Sequence, residues 1–168
     1  IFSEPPDSMT VEAFGPMGFA TFGPSEERDL VCLVGGSGIA GIMSVLKQAE
    51  VVSHFKHHKL FMVFGARRVE DLFFLPELAS LRARAPDNIG IHIALSDQID
   101  GHELPDTIHD FPVHQGFVHD VAQAVGGDAS LTGRLAFIGG PPQMLNSCIA
   151  LLLSSGLPVS DIRYDRFA

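Results

Sequence analysis

The sequence predicts an α/β fold: an open, doubly wound, five-stranded parallel sheet whose strands, numbered along the chain, lie in the order 3-2-1-4-5. Three observations predict it. Short apolar runs alternate with helical patterns from Leu30 to Tyr164, and right-handed crossovers then place helices on both faces of a parallel sheet. Four of these runs end in Gly, Ser or Pro loops, and such ends share one edge, where open α/β sheets bind ligands. The 168 residues, 46% apolar and 18% charged, suit one main core.

Residues 1–24 differ in pattern from residues 25–168, which divides the chain in two. Ser8 to Ala13 and Phe19 to Phe22 read as two short strands around the turn Gly15-Pro16-Met17-Gly18. A lone hairpin is marginal, so this piece is read as part of a sheet that is largely absent. Pro24 to Asp29 is a polar connector. The first strand of the domain is Leu30 to Val34, followed by a helix from Ile39 to Glu50 and a basic, His-rich link from His54 to Lys59. The second strand, Leu60 to Phe64, ends at Gly65. Glu70 to Arg84 has Leu72, Leu75, Leu78, Ala79 and Leu81 at helical spacing. The third strand, Ile89 to Leu95, ends at Ser96-Asp97. Gln98 to Pro112 reads as a polar loop and Phe117 to Val125 as a short helix. The fourth strand, Leu135 to Ile138, ends at Gly139-Gly140-Pro141-Pro142, and the helix Met144 to Ser155 leads to a last strand, Ile162 to Tyr164.

A net charge of −9 argues against nucleic acid or an anionic membrane as a partner, since both require a basic face. No apolar run approaches the ~20 residues of a membrane span, and no export signal opens the chain. Cys32 and Cys148 lie in apolar stretches without C-x-x-C spacing and read as buried thiols in a reduced cytoplasm. Two cysteines are too few for an ordinary iron–sulfur cluster, so any such cluster belongs to another protein or domain. The chain opens at Ile1 rather than Met and is read as processed or truncated.

The apolar run into Gly35-Gly36-Ser37-Gly38 and then a helix makes an anion site: glycine permits close approach, and free N–H groups of a first helical turn attract phosphate. Gly36-Ser37-Gly38-Ile39-Ala40-Gly41 formally matches the G-x-G-x-x-G fingerprint, yet the acid expected at the end of the second strand is replaced by Gly65-Ala66-Arg67-Arg68. Ser37 also stands where a nucleophile elbow would place its serine, but Ile39 replaces the last glycine of G-x-S-x-G. His54, His57 and His58 read as a solvated face rather than a metal site, and no role falls to His102, His109, His114 or His119.

Taken together, Gly35-Gly36-Ser37-Gly38-Ile39-Ala40, Phe64-Gly65-Ala66-Arg67 with Glu70-Asp71-Leu72, Gly116-Phe117-Val118, Gly140-Pro141-Pro142 with Met144, and the ending Ile162 to Phe167 resemble the pyridine-nucleotide domain of the ferredoxin–NADP reductase superfamily. The resemblance is closest to flavoprotein reductases that supply electrons to bacterial oxygenases, and it runs from Val11 to Phe167. It implies that Gly15 to Gly18 closes a flavin-binding β-barrel, of which residues 1–24 are the remnant, and that FAD is held mainly by a domain absent from this chain. It implies hydride transfer from a nicotinamide to the flavin, and then electron transfer to a ferredoxin or an oxygenase iron–sulfur protein. Gly36, Ser37 and Gly38 would face the pyrophosphate and nicotinamide, Gly139, Gly140 and Pro141 would form the opposite wall, and Gly65 and Arg67 would lie on the adenosine side. Phe167 would reach the flavin, with Asp165 nearby. Two departures from the family pattern stand out: Gly139 occupies the place of a common cysteine, and Gly41 that of a common proline.

Relatives that use NADPH place Ser-Arg after the third strand, whereas Ser96-Asp97 stands here; a carboxylate repels a 2′-phosphate and accepts ribose hydroxyls, which favours NADH. Arg67 and Arg68 pull the other way. The competing reading of the whole chain is a stand-alone nucleotide-binding regulatory module without redox activity.

Overall fold

A computed structural model describes residues 12, 18–97 and 106–165. Ten regular elements follow in order: β1 (Leu30–Gly35), α1 (Ile39–Val51), β2 (Leu60–Ala66), α2 (Leu75–Arg84), β3 (Ile89–Leu95), β4 (Val113–Gln115), α3 (Val118–Leu131), β5 (Leu135–Gly139), α4 (Pro142–Ser154) and β6 (Ile162–Tyr164). The sheet is wholly parallel, with order β4-β3-β2-β1-β5-β6.

The five predicted strands are present in their predicted order, and the sheet has six strands rather than five. The extra strand is β4, three residues of Val, His and Gln on the edge, which pairs only with the end of β3. So short and polar a segment carries no strand periodicity; its place is set by the β3 edge that it covers.

Side chains alternate between two cores. Leu30, Cys32 and Val34 of β1, with Met62 and Phe64 of β2, pack under α1 and α2 through Ile42, Leu46, Leu78 and Leu81. Val31 and Leu33, with Phe61 and Val63, pack under α3 and α4 through Val121, Ala122, Leu145 and Leu152. Burial on both faces explains the unbroken apolar runs of the central strands. Cys32 and Cys148 are free and buried, and burial pushes each thiol up to about 12.

The helix expected over Glu70 to Arg84 begins only at Leu75. Val69–Asp71 forms a single 3-10 turn, Leu72 is extended, and Phe74 adopts the left-handed conformation with φ 60° before Pro76 in the first turn of α2. Pro76 has no N–H to bond the Leu72 carbonyl and is tolerated only in the first turn of a helix, so a helix cannot run through it from Glu70 and starts at Leu75 instead.

Of the expected N-terminal hairpin, Ser8 to Ala13 falls outside the described residues except Glu12, and Phe19 to Phe22 forms no strand. The Thr21 N–H turns back to the Phe19 carbonyl at 2.9 Å, which uses the amide that a strand ladder would need. The expected solvated face over His54 to His58 is also corrected. Lys56 and His57 are exposed, whereas His54 is buried, with its Nε2 at 3.0 Å from the Arg28 carbonyl and its ring stacked on His58 and edge-on to Phe22. Desolvation, and then the neighbouring His58, lower its pKa.

The connector before β1 is held by ion pairs. Arg28 donates from Nε to Glu26 Oε1 at 2.6 Å and from Nη2 to Oε2 at 2.8 Å, and its Nη1 lies 2.8 Å from Asp161 Oδ1. The Arg28 hydrogen bonds lower the Glu26 pKa from its ordinary 4.5 to about 2. A carboxylate depressed on folding stabilises the native state above its unfolded value and loses that contribution as pH falls through the folded one. Urea melts of the wild type should therefore show a loss of stability between about pH 4.5 and 2 that Glu26→Gln reduces. An identical pH profile for the variant would remove this ion pair from the account.

No helix among the described residues is long and apolar enough to cross a membrane.

Candidate functional site

The strand order reverses at β1: the chain runs from β1 outward to β4, then returns to place β5 on the other side of β1. Open α/β sheets bind ligands beyond the carboxyl ends of the strands at such a switch point. Three adjacent strands carry a glycine at or next to their ends there: Gly35, the last residue of β1, is opposite Gly65, the last but one of β2, and Val34 is opposite Gly139, the last of β5.

These glycines are close-packed. A Cβ on Gly38 would overlap the Gly139 carbonyl carbon and fall 2.5 Å from both the Gly139 oxygen and the Gly140 nitrogen. A Cβ on Gly139 would fall 2.7 Å from the Gly38 oxygen. The turn after β1 and the turn after β5 thus cross backbone on backbone. On the opposite face of the sheet, a Cβ on Gly35 would overlap the Met144 sulfur, and one on Gly65 would overlap Val118 Cγ2. Absent side chains let α3 and α4 close onto the strand ends. Gly36, by contrast, has φ 51° and open space around its missing Cβ, and Ser37 beside it is exposed.

Residues Gly36–Gly38 form one 3-10 turn that enters α1 directly, and α1 begins at Ile39 with no side-chain cap and no acid in its first turn. Helix α4 likewise starts at Pro142 without a side-chain cap or an acid. Two helix N-termini without side-chain caps therefore meet at the glycine crossing, and the Ile39 N–H itself bonds the Gly36 and Ser37 carbonyls of the turn. Their dipoles and N–H groups suit a phosphate without any lysine or arginine. Gly41, the last glycine of the formal fingerprint, has nothing within 4 Å of its missing Cβ. It does not mediate the close helix–strand packing that this position serves in an ordinary dinucleotide fold.

Along the edge toward β3, Ser96 N–H bonds the Ala66 carbonyl at 3.1 Å and Asp97 N–H bonds the Arg67 carbonyl at 3.0 Å, which fastens the loop after β3 to the end of β2. The Asp97 carboxylate lies between two exposed arginines, with Arg67 Nε at 3.5 Å and Arg68 Nε at 3.1 Å. Gly65, Arg67, Ser96 and Asp97 are thus brought together, as are Gly36, Ser37, Gly38, Gly139, Gly140 and Pro141. Asp165 accepts a hydrogen bond from Phe19 N–H at 2.7 Å, and Phe167 lies outside the described residues.

The sequence reading assigned no function to Phe117 and used Arg68 only as a neighbour of Arg67. Phe117 is 61% exposed and follows Gly116, whose N–H bonds the Leu95 carbonyl at 2.8 Å, and its ring stacks on His119 with centroids 6.0 Å apart. An aromatic directly after a strand-ending glycine was the available signal. Among the described residues no group of three or more His, Cys, Asp or Glu could hold a metal ion.

A family model described as the oxidoreductase NAD-binding domain matches residues 32–149. The reductase component of propane 2-monooxygenase from Mycolicibacterium smegmatis is 29% identical over 153 residues, covering 91% of this chain and 41% of that protein. The reductase component of phenol 2-monooxygenase from Pseudomonas sp. strain CF600 is 30% identical over 157 residues, covering 94% of this chain and 41% of that protein. The chain therefore spans about two fifths of the length of these curated relatives. Among solved structures, a ferredoxin reductase in carbazole 1,9a-dioxygenase superposes with TM-score 0.69 at 22% identity, covering 92% of this chain and 42% of that one. The cytochrome b5 reductase domain of Ulva prolifera nitrate reductase superposes with TM-score 0.64 at 20% identity, covering 84% of this chain and 51% of that one. Both have the same fold.

Proposed function

The chain belongs to the oxidoreductase NAD-binding domain family, and on that premise we propose that it is the NADH-binding half of a cytoplasmic flavoprotein reductase. The flavin, FAD, is held by a domain that precedes residue 25, and electrons leave for a ferredoxin or an oxygenase iron–sulfur protein. The observation that carries the reading is the backbone crossing of Gly38 with Gly139 and Gly140 between two uncapped helix N-termini. The reductase components among the relatives support the redox assignment over a regulatory module.

Each residue then has a physical task. The N–H groups of the Gly36–Gly38 turn hold the pyrophosphate, and the exposed Ser37 hydroxyl supplies a further hydrogen bond on the nicotinamide side. Gly139, Gly140 and Pro141 form the facing wall, whose two glycines are packed on Gly38 and Met144 and so hold it in a fixed place. Gly65 keeps the floor low on the adenosine side, and the Phe117 ring offers a stacking face for the adenine. Bound NADH supplies a hydride and FAD accepts it; the protein contributes orientation and exclusion of water. Phe167 would cover the flavin.

NADH is preferred over NADPH because Asp97 occupies the ribose corner. Its carboxylate accepts ribose hydroxyls, repels a dianionic phosphate, and engages Arg67 and Arg68, the two cations that would otherwise attract one.

Stopped-flow bleaching of the flavin in the intact protein tests the proposal. NADH should reduce the flavin with a kcat/KM well above that for NADPH. A preparation that binds neither FAD nor FMN would overturn the flavoprotein reading; a higher kcat/KM for NADPH would overturn the coenzyme assignment alone.

A further inference from the structure

Residues 18–29 run along the domain under a series of polar contacts with its far C-terminal end. Phe19 N–H donates to Asp165 Oδ1 at 2.7 Å, across 146 residues of sequence. The Arg163 guanidinium donates to the Thr21 carbonyl, and its carbon lies 5.8 Å from the centroid of the Phe137 ring, which anchors it on β5. Arg28 joins Asp161, just before β6, and Phe22 is buried against His54.

The fit is tightest at Gly18. It has φ 105°, and a Cβ there would overlap the Asp165 carboxylate, at 2.6 Å from its carbon and 2.8 Å from Oδ1. The carboxylate therefore occupies the space that a side chain at position 18 would take. It also receives the first described amide after that glycine. A single exposed hydrogen bond contributes little; a backbone amide, a backbone carbonyl and a side-chain-free glycine held together leave the chain little freedom of direction.

We propose that Asp165, with Arg163, is a positioning residue that clamps residues 18–21 to the last strand and so sets the angle at which the preceding polypeptide leaves the domain. This rests on the flavoprotein reading, in which that polypeptide carries the flavin and the angle fixes its distance from the nicotinamide. Asp165 then acts through the Phe19 amide as an acceptor. Its negative charge is not required.

The intact flavoprotein tests this with Asp165→Ala, Asp165→Asn and Gly18→Ala. An Asn side chain keeps an acceptor oxygen for Phe19 N–H but carries no charge. Asp165→Ala and Gly18→Ala should lower the limiting rate of flavin reduction by NADH on the order of 10- to 100-fold, with the dissociation constant for NADH little changed. Asp165→Asn should recover most of that rate. Exchange of the Phe19 amide should be slow in the wild type and in Asp165→Asn, and fast in Asp165→Ala. Equal losses in the Asn and Ala variants would overturn the clamp in favour of a charge requirement, and full activity in all three would overturn it outright. Fast exchange in the wild type would overturn it whatever the kinetics. A wild-type flavin that neither nicotinamide coenzyme bleaches would instead overturn the flavoprotein reading, and with it the orienting role, while the amide exchange still reports whether the hydrogen bond exists.

Discussion

Gly38→Ala should abolish saturable reduction of the flavin by NADH in the intact protein and lower its melting temperature. The added methyl meets backbone on β5, at 2.5 Å from the Gly139 oxygen and the Gly140 nitrogen. No rotamer change can relieve that, so the two turns must separate. Overpacking typically costs ~1–3 kcal/mol, enough to shift the melting point by several degrees in a domain of this size. The larger effect is on binding, because separating the turns moves two helix N-termini off a shared phosphate. Gly41→Ala is the matched control. It lies three residues further on in α1 with nothing within 4 Å, and alanine in a helix is favoured over glycine by roughly 0.5–1 kcal/mol. It should leave the kinetics intact and raise the melting point slightly. If both variants behave alike, the crossing of the two turns is not what forms the site.

Asp97→Ser should move coenzyme preference toward NADPH by about 10²-fold. The substitution removes a carboxylate that repels the 2′-phosphate and releases Arg67 and Arg68, which lie 3.5 and 3.1 Å from it. A hydrogen bond to a charged group contributes ~1.5–3 kcal/mol, and ~2.8 kcal/mol corresponds to a hundredfold change in kcat/KM ratio. The two arginines are 77% and 69% exposed, so the gain should shrink as salt is raised. The double variant Asp97→Ser with Arg68→Leu should lose much of it. Ratios of kcat/KM for the two coenzymes measure all of this, and an unchanged ratio in Asp97→Ser would remove Asp97 from coenzyme discrimination.

The apolar strands were the most legible part of the chain. β1, β2 and β5 lie in unbroken apolar runs because helices bury both faces, and the glycines at or next to their ends mark the site edge; β3, interrupted by Gly90 and His92, ends instead at Ser96-Asp97. What escaped was held by local or long-range polar detail. β4 has no apolar run, and the α2 boundary was set by Pro76 against a misleading amphipathic pattern that continued back to Glu70. The burial of His54 depends on a contact with Phe22, thirty-odd residues earlier, which no spacing rule shows. At the site, the glycine turns could be placed on one edge but their crossing could not, since nothing in Gly38 or Gly139 says that the two backbones touch. Arg67, Arg68 and Asp97 were legible as residues and not as a cluster, because the conflict between two cations and one anion is resolved only when the loop after β3 is fastened to the end of β2.

The central position of β1 has a kinetic consequence. It pairs with β2 some thirty residues on, and with β5 more than a hundred residues downstream. Contacts so distant in sequence close slowly, because the loop entropy is lost before the pairing compensates. During synthesis the glycine turn after β1 exists long before the turn that must cross it, so a nascent chain that ends before residue 139 has only half of the nucleotide site. The last strands to dock complete the site, and a coenzyme that binds only the docked form draws this late step toward the native state.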